Sequence, residues 1–488
     1  MSAGFRSQVT PSYRLLTEEQ LQELHRVTLE VLATTGVRVA DDEAIAMLQA
    51  AGCPSLGDHI VGIPASLVED AIKSAPSSIT IYNRDGKEAM RLEGRNNYFG
   101  GGTDLIHTYD LHTGKLRPSQ LQDVINAARV ADYCSEVDFI ASMGLPHDVP
   151  TNTMYVECVR AMLENSTKPI FTTAGGAEDL AYIIELAETV AGGPQALAEK
   201  PRLIHYSEPT PPLLHSYGAT RKVFLCADKN VPIVYVPGGI LGGTSPVTLA
   251  GALVQQNAEM LSGLVLHQLR RKGAPIICGW ASVAMDMRTS VFAYGSPEFR
   301  LTHSAYADVC HYYGLPMWGT VGSDAMVLDA QAGMEHALCT LLAALDGTNL
   351  IHDIGYLGQG LVSHPGAIVM SNEIISYVRR FMRGFEMSPQ TFALDVMAHV
   401  GPGGNYLQEV HTFKNFKKEL WRPQLINREN PDGWQQQGSK SYSDQAIQKA
   451  IEILNTHKPA ALAPEVQQQL AAIVARAQSD LAGKFFKA

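Results

Sequence analysis

The chain has 488 residues, 45% hydrophobic and 18% charged, a composition that fits a large buried core and excludes wholesale disorder. Its 38 lysines and arginines against 49 aspartates and glutamates leave a net charge of −11, which disfavours a nonspecific binder of nucleic acid or of anionic membrane. No run approaches the ~18 apolar residues of a bilayer span, and MSAGFRSQVTPSYR lacks the apolar centre of a secretory signal, so a cytoplasmic protein is expected. The seven cysteines are scattered without CxxC or CxH spacing and read as reduced core residues.

Apolar residues recur at helical intervals over 17–35, where Thr-Glu-Glu opens the segment and Gly36 stops it. Further helices are predicted over 41–51, capped by Asp41, and over 64–76. SITIYNRDGKEAMRLEG alternates around an Asp-Gly turn and predicts a hairpin. All of this is expected to pack outside the main domain.

Eight β-like runs follow: NNYFGGG from Asn96, VDFIASMG from Val137, KPIFTTAG from Lys168, PRLIHYSE from Pro201, VPIVYVPGG from Val231, APIICGWAS from Ala274, LPMWGTVG from Leu315 and TNLIHDIG from Thr348. Their starts lie 30 to 43 residues apart, the spacing of a strand-loop-helix-loop unit. Helices are predicted between them over 118–133, 152–165, 177–192, 214–228, 246–271, 297–313 and 329–346, with an eighth after His364. Parallel strands need crossover helices, and eight such units close into a (β/α)8 TIM barrel. The expected class is therefore α/β. An N-terminal α/β extension covers 1–95, the barrel 96–385, and a loop-rich then helical C-terminal extension 386–488, with helices at 443–456 and 464–482.

Barrel chemistry sits at the C-terminal ends of the strands. Those ends offer Gly101, Thr103, Asp104, Tyr206, Glu208, Gly238, Trp280, Asp324, His352 and Tyr356, with Phe99 and Trp318 as further aromatics on strands. Each alone equally fits a loop cap or packing residue; the group is more informative than its members. His352 beside Asp353 resembles a base with its orienting acid, yet neighbouring strand residues point to opposite faces, so both are not expected to face inward. Only Cys278 lies near a strand end, with no HxC or HxxxH pair, so no zinc is expected. The glycine-rich turns at 100–102, 238–243 and 401–404 match neither a P-loop nor a dinucleotide fingerprint.

From about residue 235 to 430 the chain carries AGALVQQNAEMLSGLVL, MDMRTSVFAYGSPEFRL, YYGLPMWGTVGSDAMVLDAQAGMEHAL, ALDGTNLIHDIGYLGQG and GPGGNYLQEVHTFKNFKKELWRPQL. These segments resemble the trimethylamine methyltransferase family, in its branch lacking pyrrolysine. The resemblance implies a (β/α)8 enzyme that passes a methyl group from a methylated amine to cobalamin held on a separate corrinoid protein. The trimethylamine enzymes carry pyrrolysine around the segment matching Gly355 to Gly360, where this chain reads GYLGQG. That departure points to a quaternary amine, glycine betaine first, with dimethylglycine as product. Carnitine, proline betaine or a methoxylated compound, and a non-catalytic betaine-binding protein, are the alternatives.

A quaternary ammonium already carries its positive charge and leaves as a neutral amine, so the enzyme must chiefly position it. Such a site needs aromatic faces, for which Phe99, Tyr206, Trp280, Trp318 and Tyr356 are the candidates. Gly101, Thr103, Glu208, Gly238 and Asp324 complete the expected substrate contacts, and His352 is the candidate catalytic residue. The expected partners are the corrinoid protein and the small amine, with a homo-oligomer as the working form.

Overall fold

A computed structural model describes residues 7–280, 282–484 and 486. Seven parallel strands form one curled sheet: Tyr98–Phe99, Ile170–Thr172, Leu203–Ser207, Ile233–Tyr235, Ile276–Gly279, Met317–Thr320 and Leu350–His352, the last pairing back to the first. The second of the eight runs supplies the missing stave through single bridges, Phe139 to Gly100 on one side and Ile140 to Ile170 on the other. The ring is thereby closed as an eight-membered barrel.

Eight helices alternate with these strands: Leu121–Tyr133, Met154–Asn165, Ala177–Ala191, Tyr217–Lys229, Leu249–Arg270, Pro297–Tyr313, Ala330–Asp346 and Pro365–Met382. Their ends follow local chemistry. Ser296 and Asp329 accept free N–H groups at helix starts on their side-chain oxygens, while Gly314 and Gly347 close helices in the left-handed region. The fifth helix is buried from Gln256 through Gln268, which a helix on the outside of a bare barrel is not. The first and third N-terminal helices, Glu18–Thr34 and Ala65–Ser74, pack on it. Its buried Asn257 is satisfied by the hydroxyls of Thr28 and Tyr313 at 3.0 and 2.9 Å.

Side chains alternate along each strand between two cores. One face meets the helices. The other fills the barrel with Phe139, Phe171, Ile204, Val234, Ile277, Trp318 and Leu350. The hairpin of Ile79–Tyr82 and Glu88–Leu92 belongs to this interior core through Ile79, Ile81, Met90 and Leu92. It thus closes the barrel floor rather than packing outside, as its sequence position suggested. Asn349 ties it down by donating to the carbonyls of Glu93, Gly94 and Asn96.

At the opposite end the connections grow small sheets. Val362–Ser363 pairs with the His107–Tyr109 and Leu116–Pro118 hairpin, and Ile240–Leu241 pairs with the hairpin of Val283–Asp286 and Val291–Ala293. Helices Tyr442–Thr456 and Pro464–Asp480 pack back on the barrel helices. Between them and the barrel runs an arm, residues 389–440, in which no residue is buried. The stretch expected to be loop-rich contains the helix Val410–Glu419. Among the described residues no helix is long and apolar enough to cross a membrane.

Candidate functional site

Strand parity decides which candidates meet. His352 shares the inward face of Leu350, and its ring lies 4.2 Å from that of Phe171, 5.6 Å from Trp318, and 6.4 Å from Phe139, Tyr206 and Tyr356. It is only 4% exposed, and neither ring nitrogen has a hydrogen-bond partner among the described residues. A buried polar ring kept without partners is costly. Its Nδ1 sits 2.7 Å from Asp353 Oδ1, but out of line for a hydrogen bond.

Asp353 reaches this position because its φ is +71°, a left-handed conformation that ends the strand and swings the next side chain over the mouth. The opposite-face rule of a regular strand therefore does not hold here. Asp104 at the end of the first strand and Met143 at the end of the second do the same, with φ of +68° and +50°. Three neighbouring staves thus carry turned side chains. Gly102 lets them converge, since a Cβ there would overlap both Asp353 Oδ1 and the Tyr356 ring.

The polar rim is acidic. Asp104 accepts from the hydroxyls of Thr103 at 3.0 Å and Thr173 at 3.2 Å, and from Tyr155. Burial raises its pKa, against the lowering effect of those donors and of His352. Glu208 accepts from the Tyr206 hydroxyl at 3.0 Å, and a Cβ on Gly238 would lie 3.1 Å from its Oε2. Water reaches Glu208, yet protein surrounds it, as befits the wall of a concave mouth. Desolvation raises its pKa, Tyr206 and Lys222 lower it, and Asp104 raises it again. Thr320 donates to Asp353, and Tyr356 donates to the carbonyl of Thr103.

Two candidates lie elsewhere. Trp280 shares the outward face of Ile276 and Cys278 and stacks on Tyr306 of the sixth helix at 3.8 Å. Phe99 also faces the helices, under the guanidinium of Arg379 at 5.4 Å. Neither joins the ring around His352. Gly101 is buried against Met143. Asp324 is a latch: its two oxygens accept the backbone N–H groups of Tyr294 and Gly295 at 2.7 and 3.0 Å.

That latch presents a residue the sequence reading missed. Tyr294 follows the rim hairpin, and its phenol is pushed up by burial and by Asp353, Glu208 and Asp324. Tyr155, at the start of the second helix, was missed likewise and is raised by burial and by Asp104. No strand-end signal marks either residue. All seven cysteines are buried, and burial pushes the Cys278 thiol up to about 12. Among the described residues no three His, Cys, Asp or Glu are grouped to hold a metal ion.

Comparison with known proteins matches this architecture. The family profile described as trimethylamine methyltransferase spans residues 3–482. A trimethylamine methyltransferase of Desulfitobacterium hafniense is 32% identical over 469 residues, covering 95% of this chain and 94% of that one. A glycine betaine methyltransferase of the same species is 30% identical over 472 residues, with 96% and 98% covered. In fold, the crystal structure of the Methanosarcina barkeri monomethylamine methyltransferase superposes with a TM-score of 0.51 at 12% identity, over 96% of this chain and 89% of that one. With profile and full-length relatives in agreement, the chain belongs to the trimethylamine methyltransferase family and is a methyltransferase.

Proposed function

We propose that this chain moves a methyl group from a quaternary amine, seated over the rings around His352, to the cob(I)alamin of a separate corrinoid protein that docks on the mouth. The cobalt electron pair forms the Co–C bond, the N–C bond breaks, and its pair stays on nitrogen. The amine leaves neutral as cobalt goes from Co(I) to Co(III). No proton or metal is needed to activate that leaving group.

The observation that carries the reading is an aromatic cluster bordered by carboxylates. Tyr206, Trp318, Tyr356 and Phe171 pack around His352, and Glu208, Asp104 and Asp353 stand beside them as groups that would complement a cation. These groups act mainly on binding. Positive charge disappears from nitrogen during transfer, so they hold the substrate more tightly than the product and favour release of the neutral amine. Glycine betaine is the first amine to assay, since a relative bears its name. The test is the spectrum of cob(I)alamin incubated with the protein and single quaternary amines. Formation of methylcobalamin is expected, and its absence with every amine would remove this reading.

A homo-oligomer is part of the same proposal. Leu394, Leu407, Val410, Phe413 and Leu420 of the arm are each 63–86% exposed. The arm is nevertheless pinned to the eighth helix: Glu373 accepts the N–H groups of Gln424, Leu425 and Ile426, and Arg380 donates to the carbonyl of Glu419. A pre-shaped surface this apolar suits a permanent contact, which supports a second copy of this chain as its cover over a transient partner.

A further inference from the structure

The seventh barrel helix is apolar on its outer face as well as its inner one. Its exposed residues are Ala330, Gln331, Met334 and Leu338, none of them charged. From Thr289 to Val378 the sequence has one lysine or arginine, Arg300, and that side chain is buried against Asp346 at 3.1 Å. Met334, Leu338 and Leu342 line, with Tyr13, Pro297 and Leu301, a groove of about 420 Å³ between the sixth and seventh helices. A helix apolar all round is one that has a cover.

The arm helix Val410–Glu419 is amphipathic in the inverted sense. His411, Thr412, Asn415 and Glu419 are its half-buried positions, whereas Val410, Phe413 and Phe416, with Leu420 just after, recur every three or four residues on the exposed side. Lys414 and Lys418 run beside that stripe, and the exposed charges at the starts of the sixth and seventh helices are Glu298 and Asp329. Ridge and groove adjoin. The arm helix ends at the root of the arm, where Arg380 donates to the Glu419 carbonyl, and Gln8–Val9 pairs there with Phe385–Glu386. From Val9 to Tyr13 in the groove the chain can reach at most about 14 Å.

We propose that the arm helix of one copy seats in the groove between the sixth and seventh helices of a second copy, and the second copy's arm in the groove of the first. This rests on the homo-oligomer reading above and names the surface that receives the arm. Val410 and Phe413 meet Leu301, Met334 and Leu338, taking both apolar faces out of water, while Lys414 and Lys418 come against Glu298 and Asp329. A two-fold contact needs each copy to offer both halves, and this chain carries ridge and groove side by side. A partner that came and went with each turnover would leave both apolar faces in water between visits.

Leu338→Cys and Phe413→Cys test the pairing in the full-length chain, whose native cysteines are all buried. The two variants are co-expressed and treated with a short bismaleimide. A covalent two-chain product is expected from the mixture and from neither variant alone. Leu338→Asp is expected to lower the particle mass measured by light scattering about twofold or more, with circular dichroism unchanged. Leu338 and Phe413 are 53% and 78% exposed in one copy, so folding does not depend on them, and Met334 serves in place of Leu338 if it does. Cross-linking of Phe413→Cys alone would put arm against arm, and an unchanged mass for Leu338→Asp would leave the groove to another occupant. Either result overturns the inference while the homo-oligomer stands; a parent that scatters as a single chain removes both.

Discussion

His352 and Asp353 are consecutive in the chain, yet Nδ1 of one lies 2.7 Å from Oδ1 of the other at the mouth of the barrel. The left-handed turn at Asp353 makes this possible, and the Thr320 hydroxyl holds the far carboxylate oxygen. The pair sets an imidazole beside a fixed carboxylate, where five rings converge.

His352→Ala is expected to slow methyl transfer by about tenfold or more, equivalent to ~1.4 kcal/mol in the barrier. The side chain is buried against Phe171, so a fall in melting temperature accompanies the loss. Rates of the folded variant within about twofold of the parent would reduce His352 to a packing residue.

Tyr206 and Trp280 are expected to separate cleanly. Tyr206→Ala removes a ring and a hydroxyl from the aromatic cluster, and should lower kcat/KM for the amine by about five- to thirtyfold. Trp280→Ala instead leaves a hole against Tyr306 and should cost about 3–5 kcal/mol of stability while KM in the folded enzyme stays unchanged. Denaturant melts beside steady-state kinetics check both, and a KM effect at Trp280 with unaltered stability would contradict the assigned orientations.

Stability should fall with rising pH because of Glu259 on the fifth helix. Burial raises its pKa from 4.5 to about 7; Oε1 accepts from Leu213 N–H and Gln255, while Oε2 is buried without a partner among the described residues. A folded-state pKa above the unfolded one gives stability that is complete below pH 4.5 and lost as pH rises through about 7. The loss by pH 8 is about 3 kcal/mol. Glu259→Gln should flatten the melting temperature between pH 5 and 8; an equally steep decline in the variant would assign the effect to other groups.

Light scattering should find more than one chain per particle, and Leu407→Asp with Phe413→Asp should shift it to a single chain with unchanged circular dichroism. Neither side chain is packed inside one copy, with exposures of 86% and 78%, so the substitutions test association rather than folding. A parent protein already monomeric at micromolar concentration would leave the arm without its proposed cover.

The barrel was legible because eight β-like runs and their helices carry strong periodicity and short connections, and because the family segments are long. The site was legible in part. Parity along each strand assigns Tyr206 with Ile204 and His352 with Leu350 to the interior, and the same count places Trp280 with Ile276 and Cys278 outside, a signal the strand-end reading passed over. The turned Asp104 and Asp353 were not legible as such, since a φ above zero in a non-glycine residue is imposed by surrounding contacts. Tyr294 and Tyr155 arrive from a rim hairpin and a helix start, places that strand counting does not visit.

The floor hairpin gives the reaction an order. With Ile79, Ile81, Met90 and Leu92 filling the lower end of the barrel, the opening left to the proposed substrate is at the C-terminal ends of the strands. An acceptor large enough to lie across that opening shuts in whatever is beneath it. Amine must therefore enter before the acceptor docks and depart after it has left, like a vessel with one stopper. Steady-state kinetics should be sequential with the amine first, and the demethylated amine should be the competitive product inhibitor against its parent.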